Sequence, residues 1–263
     1  MMKISATLFC LLAACSCATS PTGRSQLILF PDSEMDAMGA AAFKEMKQQT
    51  PASADAKLNR YVQCVSDHIV RAMPGENPAD WEVRVFDDDQ VNAFALPGSK
   101  IGVYKGLLDV AENQDQLATV IGHEVAHVVA KHSNERVSTN YAVGTGMQVV
   151  QVAAGAQSPA QQQLYGLLGL GVQVGVLMPF SRRQEAEADV VGLDLMADAG
   201  FDPRESVKLW QNMSKAGGSK PPEFLSTHPA NERRASDLEK LLPEAIGIYR
   251  QATAPIGKGE MIV

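Results

Sequence analysis

The chain has 263 residues, enough for one sizeable domain or at most two small ones. Hydrophobic residues make up 45% and charged residues 20%, the balance of an ordinary globular chain. Lys and Arg number 23 against 30 Asp and Glu, a net charge of -7, and this excludes the basic surface that a nucleic-acid-binding protein needs. No run of about twenty uninterrupted strong hydrophobes reads as a membrane span.

The first element has the pattern of a targeting segment. Lys3 precedes an apolar run over residues 4–14, as in a secretory signal. Leu12-Ala13-Ala14-Cys15 resembles a bacterial lipobox, in which the cysteine is lipidated and becomes the new N-terminus. The alternative is a plain signal peptide that happens to contain cysteines. Ser16 rather than Asp follows Cys15, and by resemblance to bacterial lipoproteins this points to the periplasm, with a lipid anchor in the outer membrane. The expected division is a signal at 1–14, a lipidated N-terminus and tether at 15–25, one domain at 26–250 and a tail at 251–263. Such a compartment permits disulfides, so Cys17 and Cys64 either bridge or stay free.

Residues 18–25 are rich in Ser, Thr, Pro and Gly and read as a tether. Asp32 or Ser33 can cap a helix to about Gln49, with Met35, Met38, Ala42, Phe43 and Met46 on one side. A second helix is expected over 54–73, with Leu58, Tyr61, Val62, Val65, Ile69 and Val70 as its stripe and His68 as an ordinary helix residue. At 81–86 the period becomes two, which predicts a strand. Asp87-Asp88-Asp89 turns the chain, and no EF-hand spacing follows it. Residues 91–96 and 101–104 read as two more strands around a turn at Pro97-Gly98-Ser99-Lys100. These three strands make a small sheet ahead of a helix capped by Asn113 or Asp115 and running to about His132. Residues 137–181 contain no Asp, Glu, Lys or Arg and read as a packed hairpin of two helices, its many Gln residues arguing against a membrane span. Helices follow at about 182–199, after Asp202-Pro203, and after Ser226-Thr227-His228-Pro229.

The helix after the sheet carries His123-Glu124-Val125-Ala126-His127. Positions i and i+4 lie on one helical face about a turn apart, so His123 and His127 can aim two imidazoles at one ion. Glu124 lies beside them, where a general base is needed. Catalytic zinc sites of this kind take three protein ligands. The third is sought in Ser181-Arg182-Arg183-Gln184-Glu185-Ala186-Glu187-Ala188-Asp189. Glu185 and Asp189 are four apart and share a face. Glu185 can bind the ion, and Asp189 can accept a hydrogen bond from the far nitrogen of a ligating histidine, most simply His123. Glu187 falls on another face and reads as solvated. Alone, this stretch would be a charged surface helix; paired with the histidine motif, the balance reverses.

The two motifs together closely resemble metallopeptidase family 48, which includes the HtpX-like proteases, the CAAX prenyl protease 1 type and short periplasmic lipoprotein members. Asn92-Ala93-Phe94-Ala95-Leu96-Pro97-Gly98, Gly106-Leu107-Leu108, and Thr227-His228-Pro229 with Arg234 support the resemblance, which covers roughly residues 26–241. Ser99 departs from it, since many relatives have a second glycine there. The resemblance implies a mostly helical α+β fold, a zincin-like (gluzincin) domain with a small sheet before the motif helix. It also implies one zinc ion per chain on His123, His127 and Glu185, with Glu124 as catalytic acid–base. His228 is the expected partner of the reaction's oxyanion, with Arg234 behind it; in some relatives this histidine is thought to occupy zinc's open position. An extended peptide would add to the strand Asn92, Ala93, Phe94 and Ala95.

The expected function is a zinc metalloendopeptidase of the bacterial cell envelope, acting on unfolded or misassembled envelope proteins, with the outer-membrane assembly machinery as a possible partner. The alternative is a lipoprotein chaperone or assembly factor with little proteolysis. The uncharged hairpin could gate access.

Overall fold

The period-two stretches form strands. In the computed structural model, which describes residues 17–153, 179–216, 222–228 and 234–252, β3 (Glu82–Phe86) pairs parallel with β5 (Lys100–Tyr104). Antiparallel to β5 lies β4 (Ala93–Leu96), so the order is β3-β5-β4 and β4 is an edge strand. Gly98 and Ser99 reverse the chain between β4 and β5 with φ of 79° and 62°. Both lie in the left-handed region that glycine enters freely, which is the physical reason a second glycine suits position 99.

The helices start close to where their caps predict. α1 (Asp32–Gln49) begins one turn-residue earlier than a side-chain cap would set it: Pro31 occupies the cap position, and Asp32 and Glu34 sit in the first turn, where the helix dipole favours them. Asp55 caps α2 (Ala56–Arg71) by accepting from the amides of Lys57 and Leu58. After the one-turn α3 (Lys105–Leu108), Asn113 caps α4 (Gln114–Val129), and Asp115 lies buried in its first turn. The expected continuation of α4 to His132 does not occur. Lys131 adopts φ 53°, and a new helix, α5 (His132–Ala153), departs from that kink. Ser181 and Gln184 form a capping box for α6 (Arg182–Asp198). α7 (Glu205–Ala216), α8 (Glu223–Thr227) and α9 (Arg234–Gln251) complete the described helices.

α4 runs through the middle of this α+β, mostly helical arrangement, and all of residues 114–127 are buried. Such a helix needs apolar or satisfied neighbours on every side. α2, β4, α6 and α7 supply them, through a core that includes Val62, Ile69, Val103, Leu117, Ile121, Met196 and Leu209. A second cluster, Phe43, Phe86, Phe94 and Tyr104, fills the space between α1 and the sheet.

Residues 18–25 are not a free tether. They lie in an antiparallel hairpin of β1 (Cys17–Thr19) and β2 (Ser25–Leu27). Thr22 and Arg24 bond to Glu187 on α6, and Arg24 also to Glu135 on α5. The small polar residues that suggest a linker are here turn formers, and Thr22 donates to the buried Glu187 carboxylate. Cys64 is a free thiol on α2, so the Cys17–Cys64 bridge is not formed. α5 carries the first part of the uncharged stretch; its second part, like Cys15, lies outside the described residues. Among the described residues, no helix is long and apolar enough to cross a membrane.

Candidate metal centre

α4 presents His123 and His127 from successive turns, with their Nε2 atoms 3.1 Å apart. α6 crosses α4 at this level. A Cβ added to Gly122 would stand 2.8 Å from the Gly192 carbonyl oxygen, and one added to Gly192 would stand 2.8 Å from the His123 backbone. The two helices therefore touch backbone to backbone one residue before His123. This close approach carries Glu185 to the histidines: Oε2 is 3.5 Å from His123 Nε2 and Oε1 is 3.4 Å from His127 Nε2. His228, just after α8, brings Nδ1 to 3.1 Å from Glu185 Oε1 and Nε2 to 3.3 Å from Glu124 Oε1. One donor atom from each of His123, His127, Glu185 and His228 lies within 4.8 Å of the others, and all four residues are buried.

Further side chains hold these four in place. Asp189 Oδ1 lies 3.1 Å from His123 Nδ1, as the i, i+4 relation to Glu185 predicts. Arg234 does not stand behind His228. It donates from Nη1 to Glu185 Oε2 at 2.8 Å and from Nη2 to Asp189 Oδ1 at 2.6 Å, with its guanidinium 3.7 Å over the Trp210 ring. Its charge thus offsets the two α6 carboxylates. Phe180 stacks on His127 at 3.7 Å between centroids, with the Arg136 guanidinium 3.7 Å from the centroid of the Phe180 ring. Beside the cluster runs β4, whose Ala95 backbone opposes the burial-driven rise of the Glu124 carboxyl. Asn92 is buried ahead of that strand, its Oδ1 accepting from the Ala93 amide.

The second ring nitrogen of His127 leads somewhere the sequence did not indicate. Nδ1 lies 2.8 Å from Nδ1 of His132, whose Nε2 lies 3.1 Å from Glu187 Oε2. Glu187, expected in solvent, is only 4% exposed. On an unbroken helix, His132 would point well away from the face of His123 and His127, since five residues advance it by about 500°. The kink at Lys131 turns it back, and no residue-type pattern marks that kink.

Burial pushes the Glu185 carboxyl up, but hydrogen bonds from His123, His127 and His228 outweigh it and hold the group well below the usual carboxylate range. Burial and Arg234 pull His123 down, yet Asp189 and Glu185 prevail and raise it to about 9. Burial dominates at His127, which is held well below its ordinary value and is neutral. Burial raises Glu124 despite His228 and His123. Its Oε1 is buried without a hydrogen-bond partner, because His228 Nε2 is near but not in donor geometry. A set of imidazoles and one carboxylate, with an orphaned carboxylate oxygen beside it, fits a divalent metal ion.

A sequence profile described as peptidase family M48 matches residues 56–242, which contain the whole cluster. The chain belongs to this family. It is 41% identical over 187 residues to the mitochondrial metalloendopeptidase OMA1 of Schizosaccharomyces pombe, covering 70% of this chain and 53% of that protein. It is 32% identical over 250 residues to the mitochondrial metalloendopeptidase OMA1 of Bos taurus, covering 89% and 47%. To the beta-barrel assembly-enhancing protease of Yersinia pestis it is 30% identical over 214 residues, covering 78% and 43%. The chain spans about half the length of these curated relatives.

These findings overturn the expected periplasmic, outer-membrane-anchored location. The relatives of 41% and 32% identity are mitochondrial proteins, and the bacterial one stands at 30%. A short apolar run followed by small residues and a cysteine is too brief a pattern to decide a compartment against them.

Proposed function

We propose that this chain is a zinc-dependent metalloendopeptidase that hydrolyses unfolded or misassembled proteins. The observation that supports it most is the convergence of His123, His127, Glu185 and His228 beside an unsatisfied buried oxygen of Glu124. The relatives' names, metalloendopeptidase and beta-barrel assembly-enhancing protease, point the same way and suggest membrane-assembly intermediates as one substrate class.

His123, His127 and Glu185 would hold the ion, and their mix of nitrogen and carboxylate donors is that of catalytic zinc. Bound zinc supplies a Lewis acid for the scissile carbonyl and lowers the pKa of water. Glu124 accepts the proton of the attacking water and delivers it to the leaving amine. Its raised pKa makes it a better base than an exposed glutamate. His228 has two roles open to it: donor to the developing oxyanion, or fourth ligand when no substrate is present. Its contacts with both Glu124 and Glu185 favour the second. Asp189 and Arg234 orient His123 and Glu185. An extended substrate adding to the edge strand β4 would lie beside α4, the helix that carries Glu124, since β4 packs against it.

The test compares the full-length protein with Glu124→Gln, loaded with zinc, on an unfolded protein substrate. Cleavage should fall by about 10²–10⁴-fold while zinc content stays at one per chain. Equal cleavage by both proteins would sink the mechanism. Tight binding of the unfolded protein without cleavage by wild type would favour the assembly-factor reading instead.

A further inference from the structure

His127 faces the donor cluster with Nε2 and turns Nδ1 to His132. Two ring nitrogens at 2.8 Å require one donor and one acceptor. Both rings are buried, so each ring nitrogen must find its partner within the network. If Nε2 of His127 presents its lone pair to a metal, the proton of that ring sits on Nδ1 and is donated to His132 Nδ1. The His132 proton then sits on Nε2, where Glu187 Oε2 accepts it at 3.1 Å. These tautomers follow from the network once His127 Nε2 serves as a ligand.

Glu187 is fixed in turn by the N-terminal hairpin. It accepts from the Thr22 hydroxyl at 2.7 Å, the Thr22 amide at 3.3 Å and Arg24 Nε at 3.0 Å. Arg24 also reaches Glu135 on α5 at 2.7 Å through Nη2. The oxygens of Glu187 are taken up by donors from the hairpin and by His132. An unbroken line of hydrogen bonds thus runs from the hairpin through Glu187 and His132 to His127. The hairpin lies outside the matched family segment, 56–242.

We infer that His132 and Glu187 are positioning residues that set the tautomer and ring orientation of His127, and that the N-terminal hairpin, through Thr22 and Arg24, is a working part of the metal centre. This rests on the reading of His127 as a metal ligand. Partners behind a ligating histidine that fix its tautomer typically change metal affinity about 10–100-fold when removed. A hairpin that merely packed on the surface would leave that affinity alone.

The experiment titrates the metal-stripped full-length chain with Zn2+ against a chromophoric chelator, and records the visible spectrum of the Co2+-loaded protein. His132→Phe keeps the ring volume, and Glu187→Gln keeps the carboxylate's shape without its charge. Both should lose about 10–100-fold in Zn2+ affinity and shift the Co2+ bands. The double variant Thr22→Val, Arg24→Gln should fall in the same direction by at least about threefold. Wild-type Zn2+ affinity and an unshifted Co2+ spectrum in Glu187→Gln would overturn the inference, even if His132→Phe fails to fold. His127→Ala separates the two failures: retained Zn2+ binding there sinks the ligand reading itself, whereas lost binding there with a wild-type Glu187→Gln sinks only the positioning role.

Discussion

Glu185 and Glu187 stand two residues apart on one helix, each 4% exposed, and face nearly opposite ways. Two helical steps turn the side chain by about 200°. Glu185 meets three imidazoles and Arg234; Glu187 meets His132, the Thr22 amide and hydroxyl, and Arg24. The difference lies in what the partners can become. An amide and a guanidinium can only donate, the Thr22 hydroxyl donates here, and the single imidazole that meets Glu187 faces away from the donor cluster, so Glu187 is held as an anchor. Imidazole nitrogens can give up a proton and offer lone pairs, so the group around Glu185 can convert from a hydrogen-bonded cluster to a ligand set. Burial alone does not distinguish a metal ligand from an anchor; the convertibility of its neighbours does.

The sharpest way to break this comparison is to truncate each carboxylate. Glu185→Ala should abolish stoichiometric metal binding, measured by metal analysis after gel filtration, whereas Glu187→Ala should keep the metal at an affinity about 10–100-fold lower. Complete loss in Glu187→Ala with retention in Glu185→Ala would reverse the assignment.

Next in size is a pH effect. The Glu187 carboxyl is lowered from 4.5 to about 2, so its contribution to stability is full above about 4.5 and vanishes as the pH falls toward about 2. The metal-free wild type should exceed Glu187→Gln by up to ~3 kcal/mol at pH 7, and the two should converge near pH 2 in chemical denaturation. A difference independent of pH would show that the charge is not what stabilises this region.

On the Glu185 face, seven residues on, lies the glycine contact that sets the helix spacing. Gly192→Ala places a methyl group 2.8 Å from the His123 backbone. It should cost ~1–3 kcal/mol in unfolding free energy and weaken metal binding, because α6 must move away from α4. Unchanged metal affinity would mean that the site tolerates a wider spacing than the contact implies. The smallest effect is expected at Ser99→Gly, in the turn between β4 and β5. Relief of the left-handed serine should stabilise the protein by no more than ~1 kcal/mol and leave metal binding unchanged.

Much of the site is legible in the chain because its chemistry is local. Two histidines at i and i+4, with an acidic residue between them, can serve few other ends on one helical face, and Glu185 with Asp189 repeats that spacing on a second helix. The three strands follow from the period of two, and the cap at Asn113 places the start of α4. Arg234 is also on the legible list, but its place is not: its guanidinium lies across Trp210 and joins Glu185 to Asp189, a three-way contact that no single helix encodes.

What the sequence determined by itself is the donor chemistry and the helices that carry it: His123, Glu124, His127, Glu185 and Asp189, each with its face. Tertiary structure alone decided that the N-terminal hairpin closes on Glu187, that His132 returns to His127 past the kink at Lys131, and that Gly122 and Gly192 bring α4 and α6 into contact. The physical reason is range. Helical spacing and capping act over three or four residues, whereas a buried carboxylate takes its donors from whatever segment the packed chain brings within about 3 Å.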